Sequence, residues 1–137
     1  MSDYYTPSQV SERFGISLDT LRYYEREGLL SPVERAPSGH RRYRRGDVEL
    51  LDLIRCLRDT DMPIATLRSF AELVRAGDPT IPDRVELLQR HDDQLTARIA
   101  TLIERRAAIK HKIDYYRGVI GAAEEDERAA SETVARA

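Results

Sequence analysis

At 137 residues, the chain has room for one small domain and an extension but not for two full domains. Hydrophobic residues make up 41% and charged residues 34%, which allows a modest core with more charge than a compact enzyme usually carries. The formal net charge of −2 excludes an overall basic signature, so any nucleic-acid footprint must be local. Because Cys56 is the single cysteine, an intrachain disulfide and a cysteine-rich zinc site are also excluded.

Signals of catalysis, cofactors and membranes are missing as well. The three histidines are scattered, and no nucleophile–base spacing or glycine-rich phosphate loop is present. We therefore expect no enzyme activity, no catalytic residues, no cofactor and no metal site. No apolar run is long enough to span a bilayer and no signal peptide opens the chain, so we expect a cytoplasmic protein without a membrane partner.

The positive charge is concentrated in residues 20–45, which hold seven arginines against three acids. Such a stretch in an otherwise acidic protein favours a surface that faces phosphates, with a solvated charged loop as the alternative.

Two short helices precede and enter this stretch. Thr6 and Gln9 form a capping box for the first helix, which ends at Gly15. Ser17 is an N-cap for a second helix, which ends before Gly28. The pair predicts a helix-turn-helix. Its second helix has an apolar inner side with Leu18, Leu21 and Tyr24 or Glu25, and an outer side with Asp19, Arg22, Tyr23 and Arg26.

Residues 31–45 predict a two-stranded hairpin, or wing, around Pro37-Ser38-Gly39. Arg41 and Arg42 lie on its second strand and point to opposite faces, so only one of them can face a given row of phosphates. Apolar periodicity then predicts a third helix over 47–60 and a fourth from Pro63 to Gly77. The DNA-binding domain thus spans 1–76, and the Pro- and Gly-containing segment 77–82 is a linker.

One long helix is predicted over 83–120, with apolar or aromatic residues at every d position of five heptads. We expect it to form a homodimer through Leu88, Leu95, Ile99, Leu102, Ile109 and Ile113. A parallel pair would stack Asp92 on Asp92 and Arg106 on Arg106, whereas an antiparallel pair brings Asp92 near Arg106 of the other copy. The antiparallel arrangement is therefore favoured, with a solvent-bridging single helix as the alternative. The acidic residues 121–137 predict a disordered tail or a frayed helix.

These features together resemble the MerR family of transcription regulators. The matching blocks are Tyr5-Thr6-Pro7, Gly15-Ile16-Ser17, Thr20-Leu21-Arg22-Tyr23-Tyr24-Glu25, Gly28-Leu29-Leu30 and Ser38-Gly39-His40-Arg41-Arg42-Tyr43. The resemblance implies a mainly α fold, with a winged helix-turn-helix DNA-binding domain followed by a long antiparallel coiled-coil dimerisation helix. It also implies a homodimer on palindromic promoter DNA that acts on RNA polymerase by twisting an overlong spacer.

Carried over by position, the resemblance gives a set of DNA-binding residues. Arg22 and Tyr23 would contact bases or backbone from the recognition helix, with Ser17 and Thr20 near its start. Arg41 and Tyr43 would hold phosphates from the wing, where Arg42 is a further candidate, and Tyr24 belongs to the core. In one departure from the family, Asp61 stands where glycine is common. If the turn needs positive φ, aspartate there destabilises the fold relative to glycine.

Residues 54–58 and 62–64 resemble a small branch of the family that responds to aldehyde or nitrosative stress, in which the cysteine senses electrophiles. Cys56 would then be the sensor, but Asp52 and Asp59 share its helix face and the helix dipole disfavours a thiolate there. The alternative is a buried small hydrophobe. Competing functions are an effector-independent repressor, a recombination accessory factor and a coiled-coil adaptor.

Overall fold

The computed structural model describes residues 3–31 and 33–136, and the chain divides after Asp92 into two compact units. The elements in chain order are β1 (Tyr4–Tyr5), α1 (Pro7–Phe14), α2 (Leu18–Arg26), β2 (Glu34–Arg35), β3 (Arg41–Arg44), α3 (Arg45–Asp59), α4 (Ile64–Arg75), a 3-10 turn (Asp78–Thr80) and α5 (Ile81–Arg136). The expected mainly helical fold, with an N-terminal helix-turn-helix and wing and a long C-terminal helix, is confirmed.

The wing is part of a three-stranded antiparallel sheet in the order β1-β3-β2. The predicted hairpin is present, with Glu34 opposite Arg42. The sequence did not predict β1, which pairs Tyr4 with Arg44 and Tyr5 with Tyr43. The wing strand β3 is therefore held on both edges.

Three helices end in the same way, with a residue in the left-handed conformation. Gly15 and Gly28, with φ of 63° and 74°, follow α1 and α2 as expected for glycine. Asp61, with φ of 65°, follows α3, so the suspected need for positive φ at this departure from the family is confirmed. There the amide of Met62 donates to the carbonyl of Leu57 at 3.0 Å, which closes the helix end.

The core of the N-terminal unit gathers the inner faces of α1 to α4. Leu51 and Ile54 on α3 and Leu67 on α4 are at most 1% exposed, as the apolar periodicity predicts. Leu87 and Leu88, in the first turns of α5, pack against this core as partly buried residues. Leu88, one of the residues predicted to form the dimer, therefore also contacts the core of its own chain.

The helix α5 continues to Arg136. The disordered tail expected for residues 121–137 is therefore not found in the part that the structure describes, whereas the alternative of a frayed helix stays a prediction. The Ala- and Glu-rich composition explains the difference, because both residues have high helix propensity and can extend a helix that is already nucleated. The proline at position 82 does not interrupt α5, because it lies in the first turn, where a backbone donor is not needed.

Candidate nucleic-acid interface

The N-terminus of α2 is built by its own side chains. Ser17 has extended backbone, and its hydroxyl accepts a hydrogen bond from the Thr20 amide at 3.1 Å. The two hydroxyls of these residues lie 2.9 Å apart. Ser17 and Thr20, both predicted to contact DNA, therefore first serve to cap the helix, and Ser17 remains exposed at its start.

The two sides of α2 separate as predicted, with one exception. Leu21 and Tyr24 are buried, while Arg22, Tyr23 and Arg26 are exposed. Tyr24 is thus a core residue, as expected. Leu18, predicted on the inner side, is instead 42% exposed, because the core forms around the residues one turn later.

Arg41 on β3 reaches α2. Its guanidinium forms an ion pair with the carboxylate of Glu25, and the other oxygen of Glu25 accepts from the Val33 amide at 3.3 Å. Arg22, Glu25, Arg26 and Arg41 line an open cleft of about 410 Å³. The structure therefore brings the predicted residues Arg22 and Arg41 together, and adds Arg26 and Glu25.

Arg42 points to the other face of the wing, as the alternation along the strand predicts. Its guanidinium pairs with Glu34 at 2.7 Å and lies over the ring of Tyr4, 3.7 Å from the centroid. Its Nε is buried without a hydrogen-bond partner among the described residues. Arg42 thus supports the sheet and does not line the cleft.

Glu34 binds a second arginine, Arg44, at 2.8 Å. The hydrogen bonds from Arg42 and Arg44 lower the pKa of Glu34 below its ordinary value. Next along the chain, Asp47 accepts from the Arg44 amide at 3.1 Å at the start of α3, and burial raises the pKa of this carboxyl. Glu34 therefore joins the two strands of the wing, and Asp47 caps the first turn of α3 directly after β3.

Tyr43 lies in the core and is only 2% exposed. Burial raises the pKa of its hydroxyl, while Arg41 and Arg22 act in the opposite direction. The residue also lines a small cleft with Arg22, Arg41 and Leu18. We expected Tyr43 to contact phosphate, but its side chain is buried. It instead packs in the core beside Arg41.

Cys56 is exposed on α3, so the alternative of a buried small hydrophobe is wrong for this chain. Its carbonyl accepts from the Thr60 hydroxyl at 3.1 Å, and that hydroxyl lies 2.7 Å from Nε2 of His91 on α5. Within residues 3–31 and 33–136, no group of three or more acids, histidines or cysteines is arranged to hold a metal ion.

The predicted dimerisation residues beyond Leu88 lie on α5 within the C-terminal unit. Leu95 is half-buried, and the four that follow are 41–61% exposed, namely Ile99, Leu102, Ile109 and Ile113. An apolar stripe of this length is thus uncovered in the single chain. None of the described helices is both long and apolar enough to cross a bilayer.

Sequence reasoning placed Arg26 on the outer side of α2 but did not include it, or Glu25, in the site. The signal for Glu25 was an acid within one turn of two arginines, in a stretch otherwise dominated by positive charge. Its two contacts in the wing could not be predicted, since they depend on how the hairpin docks on α2.

The sequence matches two models of one family of transcription regulators. The model of MerR helix-turn-helix family regulatory proteins matches residues 5–73, and a model described as MerR, DNA binding matches residues 48–112. An HTH-type transcriptional regulator of Haemophilus influenzae is 36% identical over 112 residues, which cover 82% of this chain and 83% of that protein. The HTH-type transcriptional regulator AdhR of Bacillus subtilis is 40% identical over 81 residues, covering 59% of this chain and 58% of that one.

Solved structures show the same similarity. The crystal structure of HiNmlR, a regulator lacking the sensor domain and bound to promoter DNA, has a TM-score of 0.73 and 35% identity, and covers 83% of this chain and 90% of that one. The structure of a putative MerR family transcriptional regulator from Listeria monocytogenes has a TM-score of 0.83 and 32% identity, and the match covers 97% of this chain and 99% of that one.

Proposed function

Since the chain belongs to the MerR family and is a DNA-binding transcription regulator, we propose that it binds a palindromic promoter sequence as a homodimer. We further propose that it acts with RNA polymerase by distorting the spacer DNA between the core promoter elements. The observation that carries the proposal is the cleft where Arg22 and Arg26 of α2 meet Arg41 of the wing.

The cleft supports contact with a DNA backbone and the neighbouring bases. Three guanidinium groups surround one carboxylate there, so the site keeps a positive charge that attracts phosphate. Tyr23, 40% exposed, stands on the same side of α2 as Arg22 and Arg26. Phosphate contacts position a protein on DNA, and side chains of the inserted helix read the bases. The arginines of the cleft can make the first kind of contact, and the exposed side chains of α2 can make the second.

The apolar stripe on α5 supports a homodimer. Four aliphatic residues at heptad positions are 41–61% exposed, and such a stripe is normally covered by a partner helix. The antiparallel arrangement places Asp92 within about one turn of Arg106 of the other copy. A two-fold symmetric dimer then presents two copies of the cleft to two half-sites of a palindrome.

DNA binding is tested by selecting binding sites for the full chain from random duplexes, followed by footprinting on its own upstream region. We expect an enriched palindrome, protected between the two core promoter elements. Arg22→Ala and Arg41→Ala should weaken binding, whereas Arg90→Ala, at an exposed pair with Glu86, should not. A selection that enriches no sequence, with no protected region, would favour the coiled-coil adaptor, and protection without effect on transcription would favour an accessory factor.

The dimer is tested by charge reversal. Asp92→Arg should weaken the dimer, and adding Arg106→Asp should restore it, as measured by sedimentation equilibrium. If the single variant dimerises as well as the unmodified protein, and the double variant gains nothing, the antiparallel pairing is wrong.

We also propose that reactive electrophiles regulate the protein, which is supported by the exposed thiol of Cys56. Methylglyoxal or formaldehyde is expected to induce a reporter driven by the bound promoter, and Cys56→Ser should abolish induction while leaving DNA binding intact. Unchanged induction in Cys56→Ser would exclude sensing at this residue and leave the effector-independent regulator as the better description.

A further inference from the structure

Glu25 connects the recognition helix α2 to both ends of the wing. One carboxylate oxygen accepts from the Val33 amide at 3.3 Å, just before β2, and the other pairs with Arg41 on β3. The side chains of Arg41 and Glu25 are 27% and 24% exposed, so water covers only a small part of the pair. A single carboxylate thus links the wing to α2 at two points.

Glu25 also controls the charge of the cleft. It is the one acid among the described residues lining the cleft, beside Arg22, Arg26 and Arg41, so the four side chains carry a net charge of +2 (three positive, one negative). A phosphate that approaches Arg41 must compete with a carboxylate already bound to that guanidinium. Non-specific DNA binding depends almost entirely on such charges, whereas specific binding also gains from base contacts.

We propose that Glu25 is a specificity-determining positioning residue, an inference that rests on the proposed DNA-binding function. It lowers the affinity of the cleft for any phosphate backbone. At the same time it holds the wing where Arg41 meets the backbone only when α2 lies correctly in the groove. Both effects raise the ratio of specific to non-specific affinity, which is the quantity that matters in a genome full of competing sites.

A purely structural role for Glu25 predicts something different. If the carboxylate only stabilised the domain, its loss would weaken specific and non-specific binding in parallel, and it would not change the dependence on salt. The number of phosphates neutralised sets the slope of log affinity against log salt, about 0.9 for each phosphate on duplex DNA. This slope therefore separates the two roles.

The test compares Glu25→Gln with Glu49→Gln in the full chain. Glu49 pairs with Arg45 at 3.5 Å and is 72% exposed, so this control makes the same change in net charge outside the cleft. Affinities are measured by fluorescence anisotropy from about 50 to 200 mM salt. The probes are the duplex selected as described above and a scrambled duplex of equal length.

For Glu25→Gln we expect affinity for the scrambled duplex to rise about fivefold at low salt, with the slope steeper by about 0.9. Affinity for the selected duplex should stay the same or fall, so the specificity ratio falls at least about fivefold. When Arg41→Gln is added to Glu25→Gln, the salt slope for the scrambled duplex should return to the value of the unmodified protein. Glu25→Asp, which keeps the charge but shortens the reach, should keep the low affinity for scrambled DNA and lose affinity for the selected site.

A parallel fall on both duplexes with an unchanged slope overturns the inference, as does an equal effect of Glu49→Gln. In either case the unmodified protein still discriminates between the duplexes, so the proposed function survives. If the unmodified protein binds neither duplex, both the proposed function and the inference about Glu25 are wrong.

Discussion

The C-terminus of the recognition helix α2 is held by an arginine from α4, and removing it gives a quantitative prediction. Nε of Arg68 donates to the carbonyl of Glu27 at 2.9 Å, and the same guanidinium pairs with the Glu27 carboxylate. Carbonyls at a helix C-terminus lack partners within the helix and carry partial negative charge, so a guanidinium satisfies both needs. We predict that Arg68→Ala destabilises the N-terminal unit.

The magnitude follows from the two contacts. A hydrogen bond to a charged donor contributes about 1.5–3 kcal/mol when it is well shielded, and an exposed ion pair contributes about 0–1 kcal/mol. The side chains of Arg68 and Glu27 are 42% and 30% exposed, so both contributions are partly screened. We therefore expect a loss of about 2 kcal/mol in the free energy of unfolding. Arg75, which donates to the Gly28 carbonyl at 3.0 Å, keeps the next carbonyl satisfied.

Urea unfolding followed through backbone amide NMR signals of α3 and α4 measures this change in the N-terminal unit. Circular dichroism is unsuitable because α5 would dominate it. Arg90→Ala removes an exposed pair on α5 and should change stability by less than about 0.5 kcal/mol. Arg68→Lys should lie between the unmodified protein and Arg68→Ala, because an ammonium keeps the charge without the planar fork. Equal losses in Arg68→Ala and Arg90→Ala would refute the capping role.

Three further predictions concern stability. Asp61→Gly should raise the free energy of unfolding by about 0.5 kcal/mol, because the left-handed backbone strains a residue with a Cβ, and Asp61→Ala should lower it, because the short polar side chain of aspartate tolerates this backbone better than a methyl group does; equal stabilities would contradict this. Arg42 and Arg44 hold the pKa of Glu34 low, so its ionised form stabilises the fold above the ordinary value of 4.5 and this contribution is lost as the pH falls through the lowered value. In acid titrations Glu34→Gln should therefore be less stable than the unmodified protein near pH 7 and equal to it in strong acid, whereas a constant gap would argue against the linkage. Leu67→Ala, at a side chain with 0% exposure, should cost about 2–5 kcal/mol in urea unfolding; a loss below about 1 kcal/mol would mean that the core collapses around the cavity.

Local signals in the sequence predicted the helix ends well. Thr6, Ser17 and Gly28 act through their own backbone and the next few residues, so their roles do not depend on the rest of the fold. The two sides of α2 were predictable for a similar reason, because Leu21 and Arg22 differ in polarity at helical spacing.

Features that depend on docking could not be predicted. The strand of Tyr4 and Tyr5 is too short to show a period, and it exists only because β3 offers an unpaired edge. Tyr43 lies between two arginines in the sequence, so it was expected to be exposed like them. It is buried because β1 pairs with β3 at this position and the sheet packs on the core. The ion pair of Glu25 and Arg41 needs the wing to fold back on α2. Each of these needs a contact between segments that are distant in sequence.

The two edges of β3 also differ in how soon they can form. Pairing Glu34 with Arg42 closes a short hairpin, while pairing Tyr4 with Arg44 closes a loop of roughly forty residues. The longer closure costs about 1.4 kcal/mol more in chain entropy, so the hairpin should form early and the N-terminal strand should join after the helices have docked. The last strand to join is then expected to be the first to open, with amides that exchange ahead of the rest of the wing.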